Sequence, residues 1–422
     1  MHTQALFDFI KKSPCASLAF CELRRRLEAA GYKAADEAEI ASLPEGKYYF
    51  SRGGASLVAI RLPKSPKRAV IAAAHTDSPA LRVKQGEGRV GSYVSIPVER
   101  YGGPILYSWF DRPLSVAGRV MLSSENGVEE KIVNVDRALC YIPNPGLYVP
   151  TNNVQNGATF NMAKDMLPLL SIGGEAADLM EAVAEAGGFS ADRILSHDLF
   201  VYVREEGCVA GKNGEFLLCP RLDDLACAFT ATEAFLTAKE NDSLSVLALF
   251  DHEEIGSSTE RGADSEFLRE LLLPFLGKGK QFLESSLLVS ADNAHAIHPN
   301  FPEISDGIGA PVMGGGIAVK WSALHSYSTD APAAAVFKTV CKKACVPCQT
   351  FQNRADLRGG STLGSIANTH LGIPALDIGI PQLAMHSAVE SCAKKDVEYM
   401  VSGIRACYEA KIAKTENGYE IL

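Results

Sequence analysis

Three short apolar runs, each followed by ionisable residues, limit the fold more than any other feature of the sequence. They are RAVIAAAHTD (68–77), SLSVLALFDHEE (243–254) and SSLLVSADNAH (285–295). A continuous apolar run of this length is typical of a strand that is buried on both faces of a sheet. Ligands of open α/β sheets bind beyond the carboxyl ends of the strands. We therefore expect an α/β fold in which residues far apart in sequence meet at the strand ends.

The texture of the sequence changes twice, which indicates two structural units in this chain of 422 residues. Two amphipathic helices and a β-hairpin, which turns at Arg52-Gly53-Gly54, precede the first apolar run. From about Gly91 the chain shows short β-like segments rich in Pro, Gly and aromatic residues, and the α/β texture returns after Pro220. We predict an α/β domain formed by residues 1–90 and 217–422, interrupted by a β-rich insert at 91–216.

The charge and hydropathy of the chain exclude several classes of function. The formal net charge is −9 and the isoelectric point is about 5.6, whereas a nucleic-acid partner requires a basic face. No segment approaches the roughly 18 consecutive apolar residues of a membrane helix, and the N-terminal residues lack the apolar core of a signal peptide. Eleven irregularly spaced cysteines indicate reduced thiols and therefore a cytoplasmic location.

His75, Asp77 and Asp223 are the first candidates for a metal site. Residues i and i+2 of a strand share a face, so the Asp77 carboxylate can accept the second imidazole N–H of His75 and orient it. Asp223 and Asp224 open a predicted helix, where acidic residues often cap the helix. The other interpretation is that Asp223 bridges two metal ions, with Asp224 as a cap or a supporting group.

The remaining candidates follow the other apolar runs. Adjacent residues at a strand end face opposite ways, so one of Glu253 and Glu254 can bind metal while its neighbour faces the attacking water. Asp292 ends the third run, and His386 lies in a loop marked by proline and glycine. This set suits a co-catalytic pair of zinc ions with its own general base, although the ligand types also suit Mn²⁺ or Co²⁺.

Six motifs together carry a resemblance to a known family. They are HTDSP, RLDDL, EEIGS, DNAHAIHPN, NRADLRGGSTLG and PQLAMHS. In order and approximate spacing, the chain resembles the aspartyl aminopeptidase family of dinuclear zinc metallopeptidases. The resemblance implies a mixed-sheet catalytic metallopeptidase domain interrupted by a β-rich dimerisation domain. It also implies a homo-oligomer, a tetrahedral dodecamer built from dimers that encloses its active sites.

The resemblance also implies a role for each matching residue. One ion would be held by His75, Asp223 and Asp292, and the other by Asp223, Glu254 and His386. Glu253 would be the general base for a water between two Zn²⁺ ions, with Asp77 as a catalytic neighbour. The implied substrate-side residues are Lys320, which would pair with an acidic side chain, Tyr327, which would lie near the scissile carbonyl, and Asp356, Gly359 and Gly360.

We therefore expect an aminopeptidase that releases N-terminal Asp or Glu from peptides. Two departures from the family pattern leave the substrate preference open. Tyr148, in GLYVP, stands where many relatives have a histidine that reaches a neighbouring active site, and Arg358 replaces a small or apolar residue. The alternatives are a dinuclear aminopeptidase or deacylase of neutral specificity, and a catalytically silent scaffold.

Overall fold

The computed structural model describes residues 2–86, 88–90, 92–146, 159–172, 178–357 and 359–422. The α-helices in this part are α1 (Thr3–Lys12), α2 (Ala16–Ala29), α3 (Met162–Asp165), α4 (Leu179–Gly187), α5 (Leu222–Thr237), α6 (Phe267–Leu276), α7 (Lys280–Ser285), α8 (Ala331–Lys343), α9 (Leu363–Leu371) and α10 (Lys394–Glu409). Within the described ranges, every helix is too short or too polar to span a membrane.

The strands are spread over the whole described chain. They are β1 (Lys33–Ala34), β2 (Gly46–Arg52), β3 (Ser56–Leu62), β4 (Arg68–His75), β5 (Ala80–Val83), β6 (Gly88–Val90), β7 (Tyr93–Ser95), β8 (Val98–Tyr101), β9 (Leu114–Ser124), β10 (Gly127–Asn134), β11 (Leu169–Ile172), β12 (Ile194–Val203), β13 (Cys208–Ala210), β14 (Phe216–Cys219), β15 (Ser243–Phe250), β16 (Leu287–Ala291), β17 (Ala294–His295), β18 (Ile317–Trp321), β19 (Cys348–Gln352), β20 (Ala375–Gly379), β21 (Pro381–Leu383), β22 (Glu390–Ala393), β23 (Ile412–Thr415) and β24 (Gly418–Ile421).

The largest sheet of the described chain has the strand order β1-β2-β3-β15-β4-β16-β20-β18-β19. Its central strands β15, β4, β16 and β20 are parallel, whereas β3 and β18 run antiparallel to β15 and β20. Strand β4 is buried along its whole length. Its side chains alternate between a core shared with α1, α2, α5, α8 and α10 and a core shared with α6 and α9. The predicted α/β class with a mixed sheet is confirmed.

A second group of strands forms a β-rich part with a core of its own. It contains a five-stranded sheet, β10-β9-β12-β5-β8, and a three-stranded sheet, β11-β7-β6. Strand β5 belongs to this part although it precedes residue 91, and β14 pairs with β22 in a different sheet. Both strands pair with partners that are distant in sequence. The domain boundaries at 91 and 216 stay a prediction.

Candidate metal centre

Three strand ends meet at one edge of the largest sheet. Strand β4 ends at His75, β15 at Phe250 and β16 at Ala291, directly before Asp292. Because β15 and β16 flank β4 and run parallel to it, their carboxyl ends lie side by side. The first turn of α5 reaches the same edge, where Asp223 Oδ1 lies 3.6 Å from His75 Nε2. The structure thus brings residues from four elements together.

Two groups of possible ligand atoms share Asp223. The first group is His75, Asp223, Asp224 and Asp292, and the second is Asp223, Glu254 and His386. Within each group the ligand atoms all lie within 4.8 Å of one another. Oδ1 of Asp223 faces His75, and its Oδ2 lies 3.4 Å from Nε2 of His386. The two oxygens of one carboxylate therefore face different imidazoles.

Several carboxylate oxygens in these groups have no hydrogen-bond partner in the described part of the chain. They are Oδ1 of Asp223, Oδ1 of Asp224 and Oε1 of Glu254, and all three atoms are buried. A buried polar atom without a partner costs free energy, and native structures rarely leave one unsatisfied. Divalent cations take carboxylate oxygens and imidazole nitrogens as ligands. The residues present therefore fit a metal centre.

Burial dominates the protonation behaviour of the acidic groups. It raises the pKa of Glu253 to about 8, although His75 opposes the shift. Burial also raises the pKa values of Asp224 and Glu254 well above their usual range. Asp223 differs, because two imidazoles outweigh its burial and hold its pKa below the usual value. An excess of buried carboxylates is unfavourable by itself, and a bound cation would offset it.

Asp77 connects both groups of ligands. Its Oδ1 accepts the backbone N–H of Glu253 at 3.1 Å, and its Oδ2 accepts the N–H of Glu254 at 3.1 Å and the hydroxyl of Tyr101 at 2.7 Å. Nδ1 of His75 lies 3.0 Å from the backbone oxygen of Asp77 and 3.3 Å from Oδ1. The predicted contact to the carboxylate is present, but the backbone oxygen is nearer because β4 ends at His75 and the alternation of a strand does not continue.

The two glutamates do not extend the strand as the sequence pattern predicted. Glu253–Ile255 forms a short 3₁₀ helix, entered through His252 with φ 64°. Both backbone N–H groups donate to the Asp77 carboxylate, which replaces a neighbouring strand as their acceptor. The side chains still diverge. Glu253 Oε2 lies 3.9 Å from His75 Nε2, and Glu254 Oε1 lies 3.4 Å from Nε2 of His386.

Sequence reasoning missed two supporting residues and left a third, Asp224, open between a helix cap and a supporting group. Glu390, in β22, accepts the backbone N–H of Asp223 at 2.8 Å and that of His386 at 2.6 Å. Tyr101, in β8, is buried and bonded to Asp77, and no local pattern marks it. Asp224 lies inside the first turn of α5 and not at the N-cap position, which is Arg221. Its Oδ2 instead accepts the N–H of His75 at 3.3 Å, as a supporting group would.

A cavity of about 640 Å³ opens beside the ligand groups. Its lining includes the predicted substrate-side residues Lys320, Tyr327, Gly359 and Gly360. Lys320 is buried, its Nζ lies 3.4 Å from Asp292 Oδ2, and it sits 5.4 Å from the centre of the Tyr327 ring. Burial alone would lower the pKa of Lys320, but Asp292 and other anionic neighbours raise it overall. The cavity therefore contains a fixed cation next to the ligands.

The predicted loop contact Asp356 lies elsewhere. Its side chain is largely exposed, and its carboxylate accepts two hydrogen bonds from Arg354, at 2.6 and 2.8 Å. Arg354 lines the cavity, while Asp356 is absent from the described lining. Its role as a substrate contact stays a prediction. Tyr148 and Arg358 lie outside the described residues.

Comparison with known proteins identifies the family. A sequence profile described as "Aminopeptidase I zinc metalloprotease (M18)" matches residues 9–408. The chain is 38% identical to the "Probable M18 family aminopeptidase 2" of Clostridium novyi, covering 96% of this chain and 97% of that protein. The chain belongs to the M18 family. As an M18 protein it is a metal-dependent aminopeptidase, a hydrolase that acts on peptides.

Two solved structures share the fold described above. A structure described as "Cryo-EM structure of the Ape4 and Nbr1 complex" has a TM-score of 0.91 and 32% identity, over 96% of this chain and 85% of that chain. The structure of the S. cerevisiae mApe1 dodecamer has a TM-score of 0.82 and 24% identity, over 96% of both chains. The second likeness supports only a shared fold. This shared fold is consistent with an α/β domain combined with a β-rich part.

Proposed function

We propose that this M18 chain holds two zinc ions and releases N-terminal Asp or Glu from peptides. The observation that carries the proposal is the position of Asp223, whose two oxygens face two imidazoles in two separate groups of ligand atoms. His75, Asp223 and Asp292 would hold one ion, and Asp223, Glu254 and His386 the other. Mn²⁺ or Co²⁺ could replace zinc with the same ligands.

Ions held by these ligands would polarise the scissile carbonyl. They would also lower the pKa of a water molecule, so that it could lose a proton and attack the carbonyl near neutral pH. Glu253 would accept a proton from the attacking water and deliver it to the leaving amine. Oε2 of Glu253 lies 3.9 Å from Nε2 of His75. The backbone N–H of Glu253 donates to Asp77, which holds the glutamate in place. In the metal-free protein burial raises the pKa of Glu253 to about 8; nearby cations would lower it, so that the ionised carboxylate could take a proton near neutral pH and return it. Tyr327 would lie near the substrate carbonyl, and Gly359 and Gly360 would let backbone groups approach the substrate.

The acidic preference rests on Lys320. It is a buried cation in the cavity lining, and a substrate carboxylate in that cavity would gain a charge-assisted interaction with it. The alternative of neutral specificity follows if Asp292, 3.4 Å away, keeps Lys320 fully engaged.

Hydrolysis of Asp-, Glu-, Leu- and Lys-anilides, with and without a chelator, tests the activity. We expect chelator-sensitive cleavage of the acidic substrates and two bound metal ions per chain. Glu253→Gln should retain the metal and lose about 10²–10⁴-fold in kcat, whereas Glu254→Gln should lose metal. Lys320→Met should reduce cleavage of Asp more than of Leu. Cleavage of Leu but not Asp by the unmodified protein would refute the role of Lys320, and no cleavage at all would favour the scaffold alternative.

We also propose that the chain forms a dodecamer built from dimers through its β-rich part. Support comes from the S. cerevisiae mApe1 structure, which is a dodecamer of chains with the same fold. Light scattering should give a mass near twelve times 45.2 kDa.

A cytoplasmic location is consistent with eleven unpaired cysteines, all within the described residues. Cell fractionation tests it.

A further inference from the structure

We propose that the segment Tyr101–Gly102–Gly103 sets the geometry of one metal position, the group formed by Asp223, Glu254 and His386. The inference rests on the proposed two-ion centre. The segment begins with the last residue of β8, a strand of the β-rich part, and enters the centre from outside the largest sheet. Each of its three residues contacts a different residue of the centre.

Tyr101 orients the turn that carries Glu254. Its ring is buried and lies 5.2 Å from the ring of Phe200, edge to face, on the same five-stranded sheet. The hydroxyl donates to Asp77 Oδ2 at 2.7 Å, and the same oxygen accepts the backbone N–H of Glu254 at 3.1 Å. The β-rich part therefore orients the Asp77 carboxylate, and this carboxylate in turn positions the backbone of Glu254.

Gly102 packs directly against the Glu254 side chain. Its φ is 67°, a conformation that glycine adopts without strain. A Cβ at this position would stand 3.1 Å from both Cβ and Oε2 of Glu254, so that one of them would shift by a few tenths of an ångström. Metal–ligand distances tolerate about 0.2 Å. A methyl group at Gly102 would therefore disturb the ligand.

Gly103 orients His386. Its carbonyl oxygen lies 3.1 Å from Nδ1 of His386, which leaves Nε2 facing Asp223 and Glu254. A bond at one ring nitrogen fixes which nitrogen is free to bind metal. Two residues further on, the N–H of Ile105 donates to the backbone oxygen of His386 at 2.9 Å. The segment thus holds the imidazole and its backbone.

The other group of ligands has a different support. His75 ends β4 and Asp292 follows the neighbouring parallel strand β16 of the largest sheet. Nδ1 of His75 is held by the backbone oxygen of Asp77. The segment contacts Glu254 and His386 directly, whereas it acts on His75 only through Asp77. Disturbing the segment should therefore weaken the binding of the ion at Asp223, Glu254 and His386, and should largely leave the binding of the other ion unchanged.

The first test is Gly102→Ala, with Gly188→Ala as its matched control. Gly188 follows α4 with φ 70°, and among the described residues no atom lies within 4 Å of the position that a methyl group would take. Its variant therefore carries the same backbone strain without the contact. Metal-free proteins are titrated with Zn²⁺ by calorimetry, and bound zinc is measured after dialysis. We expect two ions on the unmodified protein and on Gly188→Ala. Gly102→Ala should bind one ion with unchanged affinity and the second at least about tenfold more weakly.

The second test removes only a hydroxyl. Tyr101→Phe is compared with Tyr202→Phe, because Tyr202 is buried in the same sheet and donates to Asn134 at 2.8 Å, outside the centre. Weaker binding of the second ion by Tyr101→Phe alone supports the proposal. Two ions of unchanged affinity in both Gly102→Ala and Tyr101→Phe overturn it while the two-ion centre stands. A single ion on the unmodified protein overturns the two-ion centre and this inference with it.

Discussion

Replacing Asp77 with Asn is the sharpest perturbation of this centre, because the shape of the side chain is kept while one acceptor becomes a donor. The amide NH₂ cannot take the place of Oδ1, which faces two donors, the N–H of Glu253 and Nδ1 of His75. It should replace Oδ2, where the Tyr101 hydroxyl can rotate and accept. The N–H of Glu254 then loses its acceptor.

The magnitude follows from that single lost bond. A hydrogen bond to a charged group contributes about 1.5–3 kcal/mol, and part of this is recovered because Glu254 can relax. Loss of a group that orients metal ligands typically costs about 10–100-fold in metal affinity or activity, which corresponds to about 1.4–2.8 kcal/mol. We therefore expect kcat/KM of Asp77→Asn to fall about 10–100-fold, with weaker binding of metal.

The assay is kcat/KM on an aminoacyl anilide over a range of zinc concentrations, combined with thermal unfolding. Asp396→Asn is the matched control. Asp396 is equally buried and accepts the backbone N–H groups of Gly314 and Gly316, at 2.6 and 2.9 Å, outside the ligand set. The control should lose stability and keep its zinc dependence. Equal zinc dependence in Asp77→Asn and the unmodified protein would refute the argument that Asp77 orients the ligands.

Two further predictions use other groups of the centre. Glu390→Gln keeps one acceptor for the backbone N–H groups of Asp223 and His386 and loses the other, so zinc affinity should fall about 10–100-fold. Glu22→Gln, a buried glutamate bonded to Arg25 and Arg26, is its control, and equal zinc loss in both variants would contradict a role specific to the centre. In the metal-free protein, burial raises the pKa of Glu253 to about 8, and that of His386 rises to about 10 because Asp223 and Glu254 outweigh its burial. Both folded-state pKa values lie above the ordinary ones, so the folded protein binds more protons than the unfolded chain between pH 6 and 8, and its stability should fall as pH rises. Thermal unfolding with a chelator measures this, and a midpoint that increases with pH would contradict it.

The sequence was most informative where a local pattern carries the signal. Buried strands appear as apolar runs, and β4, β15 and β16 were predicted because nearly every side chain along them is apolar or small. Ionisable residues directly after such runs must lie at the carboxyl edge of the sheet. His75 and Asp292 were therefore placed correctly at strand ends before any tertiary contact was known.

Local patterns are less informative where a distant partner decides the conformation. Glu253 and Glu254 form a 3₁₀ turn because the Asp77 carboxylate, from another strand end, accepts their backbone N–H groups. Strand β5 joins the β-rich sheet through pairing with β8 and β12. The local composition of these segments does not indicate which distant residue or strand will be their hydrogen-bonding partner.

By itself, the sequence determined the α/β class, the six motifs and the residue types available for a metal centre, because hydrophobic periodicity and side-chain chemistry are local properties. Only the tertiary structure decided which atoms meet. It turned the two oxygens of Asp223 towards different imidazoles and placed Glu390 behind two ligands. It also brought Tyr101, Gly102 and Gly103 from the β-rich part against the centre. Most of these contacts join segments far apart in the sequence, up to 283 residues for Gly103 and His386, and such packing is a property of the folded chain as a whole.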